Sequence, residues 1–450
     1  MGNVVAGLFG TDGVRGRANE ELTPELALSL GRAASRLAPL GGRAIIGRDT
    51  RTSGPMLEGA LAAGFAACGI DALLAGIIPT PAISYLIKDE RADLGAVISA
   101  SHNPPEDNGI KFFDRRGMKL SVEAEEGIES VLSAPPSLGR PVGRIEALEA
   151  AASRYAAFLV GAIEGEEIDL AGRTIVVDCA YGATGAIAPR VLRHFGARVL
   201  ELHTACDGAR INVECGSTHL EPLRAAVVTH RADLGVAFDG DGDRVLLVSS
   251  TGETIDGDQM MGVSALHFHR KGTLHPPLVV ATVMTNLGLE QALAREGISL
   301  LRTPVGDRNV ALAMLERGAK VGGEQSGHVI FADHSVTGDG ILTVVKLLEI
   351  AQERGEELAR LAAEIPLHPQ CLCNVAVEHP AAFAERPAVR AAIALEERRL
   401  GSRGRVLVRP SGTQAVVRVL VEGEDKEEID AVARRIVRAL EALRDRRATD

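Results

Sequence analysis

The pentapeptide Arg-Ala-Asp-Leu-Gly occurs twice in this chain, at 91–95 and again at 231–235. The first copy continues as AVISASHNP and the second as VAFDGDGDR, so that Ser101 and Asp241 stand at the same offset from their arginines. A short apolar run ending in small residues, glycine or proline is how a strand delivers a side chain to the open end of a sheet. One strand-loop unit is therefore used twice, once to present a serine and once to present carboxylates. A weaker third copy, GAKVGGEQSGH at 318–328, sets a Val-containing run before a polar, glycine-rich loop. The preceding runs also correspond: AIIGRDTRTSG at 44–54, TIVVDCAYGATG at 174–185 and LVVATVMTNLG at 278–288. Self-similarity of this kind predicts three related domains, each giving one loop to a shared cleft.

Chain length agrees, since 450 residues call for about three or four domains. In the first unit we expect a helix at 23–38, opened by Thr23 as N-cap and Pro24 at the first helical position. A strand at 44–48, a helix at 54–68, an apolar run at 72–78 and a helix at 81–88 precede the serine strand. Such alternation implies a mostly parallel sheet with helices on both faces and ligands at the carboxyl ends of its strands. Residues 134–143 read as a connector, followed by a helix at about 146–162. The second unit should hold a helix at 185–196 and strands at 197–203, 234–238 and 245–249. The last segment changes pattern to strand, helix, strand, strand, helix. Its final helix aligns Ile429, Val432, Ile436, Val437, Leu440 and Leu443 on one face, as a packed helix requires. The expected fold is α/β: three related domains with mixed or parallel sheets (1–145, 146–253, 254–368) and a smaller α+β domain (369–450) around a central cleft.

Composition narrows the partners. Lys and Arg number 49 against 60 Asp and Glu, a formal charge of −11, with aromatics at 3% and no Trp. That argues against nucleic acid and anionic membrane surfaces, and makes local arginine clusters informative. The apolar stretch 72–87 is broken by Pro79 and Pro81, so no membrane span is expected there. The six cysteines, at 68, 179, 206, 215, 371 and 373, lack zinc-motif spacing and read as free thiols in a reducing cytosol, hence a cytoplasmic protein.

Four loops carry chemistry. Ser101 is a candidate nucleophile or phosphate carrier on a stiff base. Asp239, Asp241 and Asp243, followed by Arg244, can converge only if a cation offsets their repulsion, and hard oxygen ligands suit Mg²⁺. The EF-hand alternative fails, because Arg244 and Ser250 occupy the positions that need Gly and Glu. Glu324, Ser326 and His328 offer acceptor, hydroxyl and imidazole groups suited to sugar hydroxyls. Ser411, Gly412 and Thr413, flanked by Arg409 and Arg418 between two strands, form an anion nest. Arg15, between glycines in LFGTDGVRGR, can also approach a phosphate closely. This inventory points to chemistry on a phosphorylated sugar.

With these motifs in this order, the whole chain resembles the α-D-phosphohexomutase family. Ser101-His102-Asn103-Pro104 resembles its phosphoserine loop, Asp239 to Arg244 its magnesium loop, Glu324 to His328 its sugar loop and Arg409 to Thr413 its phosphate loop. The stretches FGTDGVRG (9–16), DNGIKFF (107–113), INVECGSTH (211–219) and GEQSGH (323–328) are most similar to the branch acting on glucosamine phosphates; the alternative is the branch acting on mannose and glucose phosphates. Gln414-Ala415 and Tyr181 depart from residues common among relatives, Glu-Pro and Asn respectively. The resemblance implies one Mg²⁺ per chain, held by Ser101 as its phosphate together with the three aspartates. It also implies a sugar 1,6-bisphosphate activator, a phosphorylated hexosamine substrate and a homodimer. Lys111 and Arg15, with His102 beside them, are the implied groups for stabilising charge or moving protons at Ser101.

Overall fold

A computed structural model describes residues 7–10, 12–133, 141–165, 168–410 and 415–445. Its three larger units share one four-strand core. In the first, Arg43–Arg48 lies between the parallel strands Asp71–Ile77 and Leu94–Ile98, and the chain returns antiparallel to the latter as Asp107–Asp114. Thr174–Asp178, Arg198–Leu202, Leu234–Phe238 and Val245–Ser249 repeat that order in the second unit. Leu278–Thr282, Ser299–Thr303, Val321–Gly323 and Val329–Phe331 repeat it in the third. The first sheet gains strands Phe9–Gly10 and Gly13–Arg17 on one edge and Ile145–Ala147 on the other. The last unit is a three-stranded antiparallel sheet, Gln370–Ala376, Val416–Gly423 and Gly404–Pro410, backed by helices that include Lys426–Asp445.

The repeated pentapeptide has a local explanation. Arg91 and Arg231 end their helices in the left-handed region, at φ 52° and 48°. Ala92 and Ala232 are buried. Asp93 Oδ2 then accepts the N–H of Arg43 at 3.0 Å, and Asp233 Oδ2 accepts that of Thr174 at 2.7 Å. Each aspartate thereby ties the presenting strand to the start of its parallel neighbour. In the third unit Gly318 takes the left-handed cap, at φ 66°. Glycine needs no special context there, which is why the third copy looks weaker in sequence.

Two expected elements differ. The helix expected from about 146 begins at Ala151, because 145–147 pair with 72–74 as an added edge strand. The helix expected at 185–196 spans Ala188–His194. The residues before it form a tight turn instead: a Cβ on Gly182 would sit 2.3 Å from the carbonyl oxygen of Gly240 in the acidic loop. Helix there would give up that approach. The final helix matches its expected face, with Ile429, Val432, Ile436 and Leu440 buried and Val437 and Leu443 partly so.

One continuous apolar cluster joins the three larger units and includes Ile83, Tyr155, Phe238, Met260 and Leu342. The last unit has its own core around Val375, Val389, Val417 and Ile436. Among the described residues no helix is long and apolar enough to cross a membrane. Helix Ala151–Gly161 meets helix Gly340–Arg354 of the third unit, where the Tyr155 hydroxyl donates to Asp339 Oδ2 at 2.8 Å. Asp339 also caps its own helix, accepting the Leu342 N–H at 2.9 Å. Burial pushes its carboxyl up to about 6, against the pull of these hydrogen bonds. A group raised on folding retains its proton while the unfolded chain releases it, so its contribution is full below about pH 4 and is lost as pH rises to about 6. Asp339→Asn keeps the cap but removes the titration. We expect urea unfolding to show wild type losing about 2–3 kcal/mol more than this variant between pH 4 and pH 6.5.

Candidate active site

Ser101 stands in the loop three residues past the strand Leu94–Ile98, in the left-handed region at φ 52°, and is buried. Its Oγ donates to Asp239 Oδ2 at 2.6 Å. The loop is fixed from beneath by Arg51, whose side chain is fully buried. Arg51 donates to the carbonyls of Ser101 at 3.0 Å, Asn103 at 2.8 Å and Asp107 at 2.8 Å, and also to that of Pro104. Its Nε pairs with Asp49 Oδ2 at 2.9 Å. Asp49 accepts the Ser99 hydroxyl, and Ser99 Oγ in turn accepts the Ser101 N–H at 2.8 Å. From the second unit, Asn212 Nδ2 donates to the carbonyls of Ser101 and Asn103 at 2.9 and 3.1 Å. Sequence reasoning missed Arg51, Asp49 and Asn212. Arg51 stands within a repeated run, but nothing local says that it reaches a loop fifty residues on.

The acidic loop supplies the opposite wall. Asp239, Asp241 and Asp243 are all buried, and one oxygen from each lies within 4.8 Å of the others. Asp241 Oδ1 and Asp243 Oδ1 are buried without a hydrogen-bond partner. Burial, then Asp243 and Asp241, push Asp239 well above the usual carboxylate range. Three buried oxygen donors, two of them with orphaned atoms, fit a hard divalent cation. Thr80 and Lys111 hold Asp241 Oδ2 at 2.6 and 3.0 Å.

Burial would lower the Lys111 pKa, but Asp12, Asp241 and Asp243 raise it, so Lys111 is a fixed cation. His102 Nδ1 lies 3.3 Å from Ser101 Oγ and 3.3 Å from an Arg244 Nη1. Burial, Arg244 and Arg15 bring this imidazole down to about 4, so it is neutral at pH 7. Arg244 also donates its backbone N–H to Asp239 Oδ1 at 3.2 Å. Arg15 donates to Asn103 Oδ1 at 3.0 Å and pairs with Asp12. Asp12 joins Lys111 to Lys119, and Lys119 reaches Asp307 of the third unit at 2.5 Å. Neither Lys119 nor Asp307 stands out in the sequence, because alternating charges on separate elements carry no spacing signal.

The third loop is only partly placed as expected. Glu324 Oε1 accepts the Gly306 N–H at 3.1 Å, and Ser326 Oγ has no hydrogen-bond partner. His328, by contrast, is buried behind the acidic loop, with Nδ1 3.7 Å from Asp243 Oδ2. Burial opposes and Asp243 favours the charged ring, with the balance upward. Yet the Gly338 N–H donates to Nε2 at 3.0 Å and needs its lone pair. The neutral ring carrying its proton on Nδ1 satisfies both contacts. His328 thus orients Asp243 rather than facing a sugar hydroxyl.

In the last unit Arg409 and Arg418 are direct cross-strand partners. Burial and Arg418 lower the Arg409 pKa. Arg418 Nε is buried with no partner. Like charges placed opposite each other are unfavourable unless an anion joins them. Ser411, Gly412, Thr413 and Gln414, which separate these arginines in sequence, lie outside the described residues.

This arrangement defines a class, and comparison with known proteins agrees. Models of phosphoglucomutase/phosphomannomutase domains match along the chain: α/β/α domain I at 6–137, domain II at 153–252, domain III at 256–367 and the C-terminal domain at 372–439. The chain belongs to the α-D-phosphohexomutase, or phosphoglucomutase/phosphomannomutase, family of sugar-phosphate isomerases. It is 49% identical to phosphoglucosamine mutase of Desulforamulus reducens over 436 residues, covering 95% of this chain and 98% of that one. It is likewise 49% identical to phosphoglucosamine mutase of Moorella thermoacetica, over 97% of this chain and 99% of the other. A crystal structure of a phosphoglucomutase/phosphomannomutase family protein from Burkholderia thailandensis superposes with a TM-score of 0.83 at 27% identity, covering 97% of each chain.

Replacing Arg51 tests how the serine loop is held. Arg51→Ala leaves several buried carbonyls and the Asp49 carboxylate without their donor, at a cost of about 3–5 kcal/mol. Arg51→Lys should recover part of that, since an ammonium cannot span the same fork of acceptors. Urea unfolding of the three proteins side by side reads the difference.

Proposed function

We propose that this protein interconverts glucosamine 6-phosphate and glucosamine 1-phosphate through a phosphoserine at Ser101 and a bisphosphorylated sugar. The observation that carries the reading is a buried serine hydroxyl 2.6 Å from one member of a three-carboxylate cluster, with a fixed lysine beside it. The choice of amino sugar rests on relatives that bear this name at 46–49% identity over 95–97% of the chain.

The chemistry divides among the chain's own residues. Asp239, Asp241 and Asp243 would hold Mg²⁺, together with the phosphate on Ser101; the ion supplies charge neutralisation during phosphoryl transfer. With glucosamine 6-phosphate in the cleft, the sugar 1-hydroxyl attacks phosphorus, the Ser101 Oγ–P bond breaks and the hydroxyl proton passes to a base. His102, neutral and 3.3 Å from Ser101 Oγ, is within reach of that proton. The sugar then carries two phosphates and turns over. Ser101 Oγ takes the 6-phosphoryl group, a proton returns to the 6-oxygen and glucosamine 1-phosphate leaves. Lys111 and Arg15 stabilise charge on the transferring group. Arg244 spans the acidic and serine loops. Glu324 and Ser326 would hold sugar hydroxyls in both orientations. Arg409 and Arg418, with Ser411, Gly412 and Thr413, would grip the phosphate that is not reacting. A trace of sugar 1,6-bisphosphate would keep Ser101 charged.

A coupled assay with Mg²⁺ and trace bisphosphate tests this, comparing glucosamine 6-phosphate with glucose and mannose phosphates at equal concentration. We expect clear preference for the amino sugar, and loss of at least about 10³-fold in kcat for Ser101→Ala. Full activity of that variant would refute the phosphoserine route. Equal turnover of glucose or mannose phosphate would keep the route and overturn the substrate.

A further inference from the structure

Away from the cleft floor, three ligand-type side chains of different chemistry converge beyond the carboxyl ends of the second sheet. Asp178 closes its strand, His203 follows Arg198–Leu202, and Cys215 precedes the short turn Gly216–Thr218. One donor atom from each lies within 4.8 Å of the others. Asp178 and Cys215 are fully buried, and the His203 side chain is 22% exposed. His203 Nδ1 stands 3.1 Å from Asp178 Oδ2, yet this nitrogen is buried and makes no hydrogen bond. That is the relation expected of two ligands of one ion: bonds of about 2.0–2.1 Å in a tetrahedron set neighbouring donors roughly 3.3 Å apart. Asp178 is held for the task, its Oδ1 accepting the Ala180 N–H at 2.9 Å and its Oδ2 the Gly216 N–H at 3.0 Å. Each oxygen keeps a further lone pair.

We propose that Asp178, His203 and Cys215 form a second metal site, for one borderline-soft divalent ion of the zinc type. Water completes the coordination through the exposed edge of His203. The Cys215 thiol releases its proton to solvent as the metal–sulfur bond forms. A thiolate, an imidazole and a carboxylate together select against Mg²⁺, so this site is chemically distinct from the aspartate triad. The ion would join both ends of the segment 203–215. That segment carries Asn212, which supports the serine loop. It also carries Gly208, whose Cβ would sit 2.0 Å from the Thr50 carbonyl oxygen. Occupancy therefore stiffens the support of Ser101 without touching the reacting atoms.

The test titrates the metal-stripped full-length protein with Co²⁺ in excess Mg²⁺. We expect a thiolate-to-cobalt charge-transfer band in the near ultraviolet that saturates at one ion per chain. The band should vanish in Cys215→Ser and require at least about tenfold more Co²⁺ in His203→Gln. It should persist in the double variant C371S/C373S, which removes another close thiol pair, 3.9 Å apart. Zn²⁺ should raise the unfolding temperature of wild type but not that of Cys215→Ser. If Cys215→Ser does not fold, His203→Gln, altered at a partly exposed ring, decides. No band in wild type, a band that survives in Cys215→Ser, or unchanged affinity in His203→Gln would overturn the proposal. None of these readouts uses mutase activity, so the outcome is independent of the proposed function.

Discussion

Three aspartates are buried within 4.8 Å of one another beside a serine hydroxyl, and this is the constraint on which the rest of the structure depends. Carboxylates removed from water repel one another strongly unless cations and donors are placed around them. The fold supplies those groups from three units at once. Lys111 and Thr80 come from the first, Arg244 from the second, and His328 from the third. The acidic loop thus draws its partners from all three larger units, and one apolar cluster runs continuously between them, while each unit keeps a further cluster of its own.

The same electrostatics ties the units together around the cleft. Asp241, Lys111, Asp12, Lys119 and Asp307 alternate in sign from the second unit through the first to the third. His328, from the third unit, directs its Nδ1 proton to Asp243 at 3.7 Å. Arg308 and Glu125 add a further bridge between the first and third units at 2.5 Å. Buried chains of this kind contribute more to a unique arrangement than to net stability. Here they hold the serine loop, the acidic loop and the third unit at set distances, and phosphoryl transfer requires such fixed positions. The last unit stands apart in this respect. Its core is separate, and Arg409 and Arg418 face each other across paired strands.

Much of the site was legible because strand-loop units advertise themselves locally. Ser101 and the three aspartates stand out through repeat position and residue type, and the structure brings them together across 138 residues of chain. His328 shows the opposite case. Its neighbours Glu324 and Ser326 suggested a sugar contact, but a histidine two residues further along the same hairpin turns into the core, where Asp243 and the Gly338 N–H receive it. The added edge strand at 145–147 was also hidden, since Ile-Glu-Ala has no strand signal until a parallel neighbour is available.

The sequence alone determined the threefold repeat, the α/β class, the presented serine, the aspartate cluster and the family. Each of these depends on short-range chemistry: left-handed caps at Arg91 and Arg231, strand-tying aspartates, and loops at strand ends. Tertiary structure alone decided who holds the loops in place. Arg51 under the serine loop, Asn212 across the unit boundary, Lys119 between two aspartates and the Asp178–His203–Cys215 convergence all join residues far apart in sequence. Such contacts arise from the packing of whole sheets against one another, and no local pattern of residue types encodes them.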